Sequence, residues 1–427
     1  MLQFRLLFFL GLLCFVCYSN ANAQLYNDDL YWTTTQLKKE KLSAGLNKNY
    51  FLIKGGALYN SNAITNDFVT QELYQQKTPN AEDTQLSVDR LKDHNTMGAD
   101  AQASIVAGFR LADTSLTIDV GIGYRDFTYL YFTRDLFKLA FQDYTQYVDK
   151  NAQVGASNMR EYNYSNLFVG MQKTFSEHVM IGARVSLIKG GFYQEVNIEE
   201  GNLHLSSGGV FTNPSADISA SFQYYSQKRQ QNPFAADNGW GAGTDLYSQF
   251  CFNKTILTAE VRDLGFLSWK NMDAYISDKP QHYNGYNIVD LLQPNNIGDP
   301  SPDEVAADMG IPKQRVKKTT ALPTKIQLGV LQKLSDHVAL KTDLHYMFLP
   351  GYKPCLKVAA FFSAGNSFFF APAVVAGGYG LVNSQLGLGV TVGNSWSLQL
   401  NVMALEYLVA RKNYSGHGVD IFLAKSF

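Results

Sequence analysis

The 427-residue chain has no excess of charge of either sign, few cysteines and no long apolar run after its first residues. Lysine and arginine number 36 and aspartate and glutamate 37, which gives a formal net charge of -1. This balance provides no basic surface for nucleic acid, so we expect no nucleic-acid partner. Past the N-terminal segment, no window holds the roughly twenty consecutive apolar residues that a membrane helix requires.

The sequence also lacks the signatures of an enzyme and of a repeat protein. It contains no Gly-x-Ser-x-Gly motif for a serine nucleophile, and His345 has no second histidine at metal-ligand spacing. No internal repeat or low-complexity tract is present, which argues against a solenoid. We therefore expect a non-enzymatic protein without a metal or another cofactor.

Only four cysteines are present, and two of them, Cys14 and Cys17, fall in the N-terminal apolar segment. The other two, Cys251 and Cys355, lie in segments of alternating polarity. An oxidising compartment would permit a disulfide between them. The strands that carry them would not be neighbours in a meander, and this favours two free thiols on an inner face.

Residues 1–23 have the features of a secretory signal peptide. Arg5 supplies the basic start, an apolar run follows at 6–17, and Ala-Asn-Ala at 21–23 fits a cleavage site. Cleavage would leave a mature chain that begins with 24–49, ahead of the first predicted strand. We expect this segment in the periplasm, either free or folded into a pore as a plug.

The last eleven residues alternate between apolar and polar side chains and end on a phenylalanine. A period of two indicates a β-strand. The apolar face carries Val419, Ile421, Leu423 and Phe427. A terminal amphipathic strand that ends on an aromatic residue is typical of bacterial outer-membrane barrels, so these four residues are a predicted membrane insertion signal. Lys425 shares their face and is expected to reach toward lipid headgroups.

Sixteen segments show strand-like alternation, and fourteen remain if a doubtful hairpin around 192–226 is left out. Short connections follow even-numbered strands, and long ones, including the insertions 61–100, 127–160 and 268–322, follow odd-numbered strands. A closed up-and-down barrel requires this alternation, whereas a β-sandwich does not. The sequence therefore predicts an all-β fold, a transmembrane antiparallel up-and-down β-barrel of about 14–16 strands over 50–427.

Short helices are predicted in two of the long connections. Residues 135–144 carry apolar side chains at helical spacing. The sequence Ser-Pro-Asp-Glu at 301–304 is a capping box with proline at the first helical position, ahead of 305–309. Both helices are expected to pack on the barrel rim or, alternatively, to enter the pore as a gate.

If the apolar faces point toward lipid, eight ionisable side chains point into the barrel. These lumen-lining candidates are Arg184, Asp245, Glu260, Arg262, Lys341, Asp343, His345 and Asp420. Mixed charges of this kind either pair across strands and fill the lumen or line a water path. An acid–base role for His345 with Asp343 is a weaker alternative.

Several stretches carry a resemblance to a known group of proteins. They are the segments at 91–100, 106–110, 135–137, 239–246 and 261–270, of which the last two read Gly-Trp-Gly-Ala-Gly-Thr-Asp-Leu and Val-Arg-Asp-Leu-Gly-Phe-Leu-Ser-Trp-Lys. They resemble an uncharacterised outer-membrane β-barrel family of Bacteroidota, a domain of unknown function. That family is similar to the PorP/SprF membrane proteins of type IX secretion and, more distantly, to FadL-like channels. The resemblance implies a barrel in the cell outer membrane and brings no catalytic residues.

Two functions of such a barrel remain open. It is either a channel for a small, hydrophobic solute or a membrane component of an envelope or secretion assembly. The expected partners are membrane lipid, the barrel-assembly machinery and, in the second version, envelope or secretion-system proteins. A secreted or periplasmic β-rich binding protein is the alternative from another class.

Overall fold

The computed structural model describes residues 48–75, 77, 79–111, 114–142, 144–206, 215–227, 237–277, 281–283, 306–307, 310–365, 367–393, 396–406 and 414–427. The predicted signal peptide, the predicted plug segment up to residue 47 and the capping box at 301–304 lie outside these residues.

The described strand segments belong to a single antiparallel sheet. They are β1 (Tyr50–Ser61), β2 (His94–Arg110), β3 (Leu116–Thr133), β4 (Asn151–Gln153), β5 (Ser157–Ser176), β6 (Val179–Ser206), β7 (Ser215–Ser226), β8 (Gly239–Phe252), β9 (Thr255–Ser277), β10 (Gln281–Tyr283), β11 (Gln314–Ala321), β12 (Lys325–Lys333), β13 (Val338–Met347), β14 (Lys353–Ala364), β15 (Phe368–Gly378), β16 (Val382–Val392), β17 (Trp396–Met403) and β18 (His417–Ser426). The helical elements are α1 (Asn66–Val69), a π-helical turn (Thr70–Tyr74), α2 (Ala81–Asp89), α3 (Arg134–Phe141) and a 3-10 turn (Tyr144–Tyr147).

Several segments continue a neighbour instead of adding a new position to the wall. β4 and β5 both pair with β6, and β11 and β12 both pair with β9. β7 and β8 lie one after the other between β6 and β9, and β10 follows β9 along β7. The wall therefore has fourteen strands, which confirms the predicted fold class. The sixteen-strand version is wrong because 192–206 extends β6 and 215–226 shares its wall position with β8.

The wall closes where β1 pairs with β18, from Tyr50 opposite Ser426 to Tyr59 opposite His417. At one end of the barrel, which we call the turn end, all described connections are short, and β1 begins and β18 finishes there. The long connections lie at the opposite end, which we call the loop end. This alternation of short and long connections was predicted from the sequence.

The outward face of the wall is apolar around the barrel. On β5, Leu167, Val169 and Met171 are 57%, 51% and 55% exposed, and they alternate with buried residues. Further exposed apolar residues on other strands are Ile53, Ile122, Val185, Leu264, Leu328, Leu344, Leu356, Val374, Leu398 and Ile421. Such a surface far exceeds the few hundred Å² of apolar patch found on soluble monomers. It matches the lipid-facing band of a transmembrane barrel.

The strands differ in how far they continue past this apolar band at the loop end. β5 has 20 residues and β6 has 28, whereas β17 has 8 and β18 has 10. β2, β3 and β9 are also longer than predicted, and they extend into the predicted insertions 61–100, 127–160 and 268–322. The sequence made β2 and β3 too short because both faces of their extensions are buried, which removes the apolar–polar alternation.

The helices cover the outer face of the extended strands. Leu130 and Phe132 alternate along β3 with the lumen-facing Tyr129. They pack with Phe68 of α1 and Phe137 of α3 in one buried cluster. The α3 helix starts at a threonine cap, since Thr133 accepts a hydrogen bond from the backbone N–H of residue 136. The helix predicted at 135–144 is thus present and packs on the rim.

A hydrogen bond joins the turn after α3 to the start of that helix. The Tyr147 hydroxyl donates to Asp135 Oδ1 at 2.7 Å. Burial and this hydrogen bond raise the pKa of the Tyr147 phenol. The phenol therefore stays neutral and donates at any physiological pH.

The wall is tight where β8 passes β9, and this gives a first prediction. A Cβ on Gly265 would lie 2.2 Å from the Ala242 carbonyl oxygen and 2.6 Å from Gly243 Cα, both backbone atoms that cannot rotate away. Gly265→Val is expected to cost about 1–3 kcal/mol through overpacking. The measurement is the temperature at which the barrel loses its compact mobility on a gel.

Gly55→Val is the matched control for Gly265→Val. Nothing lies within 4 Å of a Cβ built on Gly55. This variant should keep the wild-type transition temperature. Equal temperatures for the two variants would contradict the close approach of β8 and β9.

Candidate functional site

The lumen holds a cavity of about 230 Å³ in its turn-end half. Its lining includes the apolar side chains of Leu52, Val106 and Phe168 and the polar side chains of Lys54 and Gln102. The lumen beside β13 to β15 is filled instead. The filling cluster consists of Met180, Cys251, Ile256, Leu331, Ala339, Ala359, Phe361, Phe369, Ala371 and Ala373. The cavity therefore lies off-centre, away from β14 to β17.

Arg125 closes the loop-end side of this cavity. Its Nε and Nη2 donate to the two carboxylate oxygens of Asp100 at 3.0 and 2.6 Å, and its Nη1 donates to Asp263 Oδ2 at 2.6 Å. The Arg125 side chain is 10% exposed and that of Asp100 is 1% exposed. The guanidinium also lies 5.1 Å from the centre of the Phe127 ring. These contacts tie β2, β3 and β9 together across the lumen.

An irregularity in the wall places Asp263 at this position. Asp263 has a positive φ of 54°, which aspartate adopts more readily than most residues. Thr244 of the neighbouring β8 pairs with Leu264, and Leu246 pairs with Val261. Two residues of β9, Arg262 and Asp263, therefore lie opposite Asp245 alone, so the extra residue of this bulge is on β9. The Asp263 backbone N–H donates to Asp245 Oδ1 at 2.9 Å. The bulge thus brings the Asp263 carboxylate to Arg125, and Asp245 holds the Asp263 backbone.

A layer of packed aromatic rings lies beyond Arg125, toward the loop end. Its largest fully buried members are Phe127, Tyr129, Tyr193 and Trp269. The whole cluster consists of Phe127, Tyr129, Tyr162, Tyr164, Ile188, Tyr193, Leu267, Trp269, Met272, Leu322, Met347, Leu349, Tyr352 and Tyr379. We call it the aromatic layer. Together with Arg125 it separates the cavity from the loop end.

Five of the eight predicted lumen-lining residues border the cavity. They are Arg184, Asp245, Glu260, Arg262 and Lys341. Arg184 Nε donates to Asp119 Oδ2 at 2.6 Å, and Arg262 Nη2 lies 2.6 Å from Glu260 Oε1. Lys341 Nζ lies 3.4 Å from Asp343 Oδ1. Arg184, Arg262 and Lys341 of the lining are thus each paired with a carboxylate.

The other three predicted residues are buried away from the cavity lining. Asp343 and Asp420 are 2% and 1% exposed, and His345 is 3% exposed. The His345 Nε2 atom lies 2.9 Å from the Tyr352 hydroxyl, in the aromatic layer. His345 and Asp343 are two positions apart on β13, and the histidine bonds to tyrosine.

The residues of the predicted insertion signal lie on the outward face of β18. Val419, Ile421 and Phe427 are 39%, 52% and 59% exposed, whereas the intervening Asp420 and Phe422 are buried. The Lys425 Nζ lies 4.9 Å from the centre of the Trp396 ring on the neighbouring strand. The role of these residues in insertion stays a prediction.

Both remaining cysteines are free and buried, as the strand order favoured. Cys251 lies in the filled part of the lumen, and Cys355 is opposite His345 on the neighbouring strand. Trp269 lies in the aromatic layer, and its Nε1 donates to Thr320 Oγ1 at 2.9 Å. The extra residue on β9 reverses which of its side chains face the lumen beyond Asp263, and the sequence gives no sign of it.

Sequence reasoning missed Arg125, Asp100 and Asp119. Arg125 and Asp119 lie six positions apart in a segment of strand-like alternation. Residues an even number of positions apart share a face of a strand, so the sequence could have placed both in the lumen. Asp100 was assigned to a loop. The pairing of Arg125 with two carboxylates spans 25 and 138 positions of sequence and could not be read from local pattern.

Within the described ranges, no group of three or more histidine, cysteine, aspartate or glutamate side chains is arranged to hold a metal ion. No helix in the described part of the chain is long and apolar enough to cross a membrane.

The closed wall, the apolar outward band and the partly filled lumen define a transmembrane β-barrel. The chain belongs to the family of unknown function DUF5723, whose model matches residues 41–402. No curated protein matches the chain. The expected links to Bacteroidota and to the PorP/SprF proteins stay predictions.

Solved barrel structures show a distant likeness to this chain. A TodX mutant, described as a monoaromatic hydrocarbon channel, is 9% identical with a TM-score of 0.47, and the match covers 96% of each chain. The toluene transporter TbuX of Ralstonia pickettii is 8% identical with a TM-score of 0.44 and coverage of 90% and 91%. A FadL homologue of Pseudomonas aeruginosa is 9% identical with a TM-score of 0.44 and coverage of 90% of each chain. Scores below 0.5 are too low to transfer a function.

Proposed function

We propose that this chain is a non-enzymatic outer-membrane barrel whose lumen cavity admits a small, partly apolar solute from the periplasmic side. The observation that carries the proposal is the cavity itself, enclosed by a closed wall and bordered by both apolar and ion-paired side chains. The turn end faces the periplasm and the loop end faces outward, because short turns are periplasmic in outer-membrane barrels.

The outward face of the wall supports a membrane location. Exposed leucine, isoleucine, valine and phenylalanine side chains surround the barrel at alternate positions. In water this surface would drive aggregation. A secreted or periplasmic binding protein is therefore not favoured.

The lining of the cavity points to a solute of low charge. Leu52, Val106, Phe168, Met180 and Ile256 contribute apolar surface. The arginines at the cavity are held by carboxylates at 2.6 to 3.0 Å, so their charges are largely neutralised within the wall. A volume of about 230 Å³ is below the ~300–1,000 Å³ of pockets for drug-sized ligands. A small neutral or amphipathic molecule fits these features.

Passage to the loop end requires the closing contacts to rearrange. Arg125 and the aromatic layer separate the cavity from that end, and the residues involved are nearly fully buried. We therefore propose a closed resting state that opens when Arg125 or the aromatic layer moves. Planar-bilayer conductance of the wild-type barrel should be low or rare.

Filling the cavity tests the proposal directly. Ser104 borders the cavity on β2, and Ser104→Trp is expected to occupy that space and to abolish uptake of a small apolar solute into proteoliposomes. The measurement is the uptake rate at equal amounts of folded barrel.

Ala107→Trp provides the matched control for Ser104→Trp. Ala107 lies on the same strand but on the outward face, opposite the exposed Val120. This variant should keep wild-type uptake because its indole lies against lipid. Wild-type uptake by Ser104→Trp, or equal loss in both variants, would refute a route through the cavity.

An ordered surface at the loop end favours a second candidate function. Helices α1 to α3 pack on the extended strands through a buried cluster that includes Phe68, Phe137 and Phe141. A barrel that serves as a membrane component of an envelope or secretion assembly would present such a surface to its partners. A wild-type barrel that takes up no solute but co-purifies with envelope proteins would support this version.

A further inference from the structure

The outer surface of β6, β8, β9 and β11 changes from apolar to basic over two rows of residues near the loop end. Strand register defines the last apolar row, in which Leu187 lies opposite Ala242, Ala242 opposite Phe266, and Phe266 opposite Ala321. Leu187 and Phe266 are 54% and 50% exposed. This row is the upper edge of the lipid-facing band on these strands.

The next outward row places a tryptophan between polar side chains. Lys189 lies opposite Trp240, Trp240 opposite Ser268, and Ser268 opposite Thr319. Trp240 is exposed, and its indole Nε1 donates to Asp237 Oδ1 at 2.6 Å. Tryptophan and lysine are the side chains expected where the acyl region of a bilayer gives way to headgroups.

The third row is basic. Lys270 lies two positions beyond Ser268 on β9, and Lys317 lies in the irregular pairing of β11 with β9, two positions before Thr319. Both lysines are exposed. Asp237 lies 3.5 Å from the Lys270 Nζ atom. Together with Lys189 of the row below, the described part of this surface carries three lysines beside the Asp237 carboxylate.

The height of these lysines matches the headgroup region of a bilayer. Two residues of a strand tilted by about 40° rise roughly 5 Å along the membrane normal. The tryptophan row and the basic row therefore lie about 5 and 10 Å above the last apolar row. The polar zone of each leaflet is about 5–7 Å deep, so the backbone of the basic row lies just above it. A lysine side chain is long enough to reach several ångströms back into this zone.

We propose that Lys189, Lys270, Lys317 and Trp240 form a binding site for the phosphate-bearing headgroup of a lipid in the leaflet at the loop end. The patch continues the lipid-facing band without a break, so a lipid whose acyl chains lie on Leu187 and Phe266 places its headgroup at the lysines. In an outer membrane the occupant is a phosphorylated glycolipid. The inference rests on the membrane location given under the proposed function but not on solute transport.

Retention of defined lipids by the full-length barrel tests the site. Native mass spectrometry in detergent would compare a phosphorylated lipid A with its dephosphorylated counterpart, for the wild type and for the double variant K270E/K317E. The wild type is expected to retain the phosphorylated lipid, and the double variant is expected to bind it about tenfold more weakly or worse. Neither protein should prefer the dephosphorylated lipid.

Lys254→Glu is the matched control, since Lys254 is an exposed lysine in a turn at the opposite end of the barrel. This variant should retain the lipid like the wild type. The milder double variant K270Q/K317Q provides a second measurement if charge reversal prevents folding, which the heat-dependent gel shift would reveal.

Three results would overturn the lipid site. They are undiminished retention by folded K270E/K317E, retention that does not depend on the lipid phosphates, and equal displacement of the lipid by inorganic phosphate at the same concentration. A different result would contradict the proposed function. In that case Ser104→Trp would leave solute uptake unchanged, while the wild-type barrel would still retain the lipid.

Discussion

Replacing Arg125 with methionine is expected to open the lumen. The substitution leaves the Asp100 carboxylate, which is 1% exposed, without the two hydrogen bonds that Arg125 donates, and it releases Asp263 from β3. Removing one partner of a buried ion pair typically costs about 3–5 kcal/mol. The barrel should lose its compact gel mobility at a lower temperature, and planar-bilayer recordings should show conductance well above that of the wild type.

A second variant separates opening from loss of stability. The double variant Arg125→Met with Asp100→Leu removes both charges, and replacing a buried pair by apolar side chains is often neutral for stability. It is expected to recover much of the lost thermal stability and to remain conductive. If the double variant recovered its stability and its conductance were as low as that of the wild type, Arg125 would stabilise the fold without closing the lumen.

Arg262→Met is the matched control within the same cavity. Arg262 also borders the cavity and pairs with Glu260, and the two side chains are 21% and 17% exposed. Water reaches both partners more readily than it reaches Asp100, so breaking this pair should cost less than breaking the Arg125 pair. The variant is expected to keep wild-type stability and low conductance. A conductance increase as large as that of Arg125→Met would contradict a closing role specific to Arg125.

Deletion of Phe427 is expected to remove most of the correctly inserted barrel from the outer-membrane fraction. In the folded barrel the Phe427 side chain is 59% exposed, and its backbone N–H donates to the Asn49 carbonyl at 3.1 Å. The Phe427 ring also lies 5.9 Å from Lys425 Nζ. These contacts contribute little to folded stability. A large loss of assembly would therefore reflect recognition of the terminal residue during insertion.

Phe252→Ala is the control for the terminal deletion. Phe252 is 57% exposed at the turn end of β8, so it resembles Phe427 in exposure and depth. Its replacement should leave the amount of heat-modifiable barrel in the membrane near the wild-type level. Equal losses from the two variants would indicate a general need for interfacial aromatics, and wild-type assembly without Phe427 would remove the insertion role.

The sequence carried most of the information about the wall. The period of two along β12 to β18 predicted which side chains face outward, and the exposed Leu344 and Ile421 lie where it placed them. Alternation fails along the extended parts of β3 and β6, because the aromatic layer buries one face and the helices bury the other. Strand boundaries were missed there for that reason.

The lumen was less accessible to sequence reasoning. The parity of Arg184, Glu260 and Lys341 indicated an inward position, and these residues border the cavity. The alternation along each strand did not predict which carboxylate pairs with each cation. Arg184 pairs with Asp119, 65 positions away, because register places β3, β5 and β6 side by side.

The sequence by itself determined that the chain forms a β-barrel with an apolar outer face, because alternation along a strand and the lengths of connections are local properties. Only the tertiary structure decided that the wall has fourteen positions, since β7 and β8 share one of them. It also decided that the lumen is closed by Arg125 and the aromatic layer above an off-centre cavity. Those features depend on which residues face each other across the barrel. The register between strands that are far apart in the sequence determines those pairs.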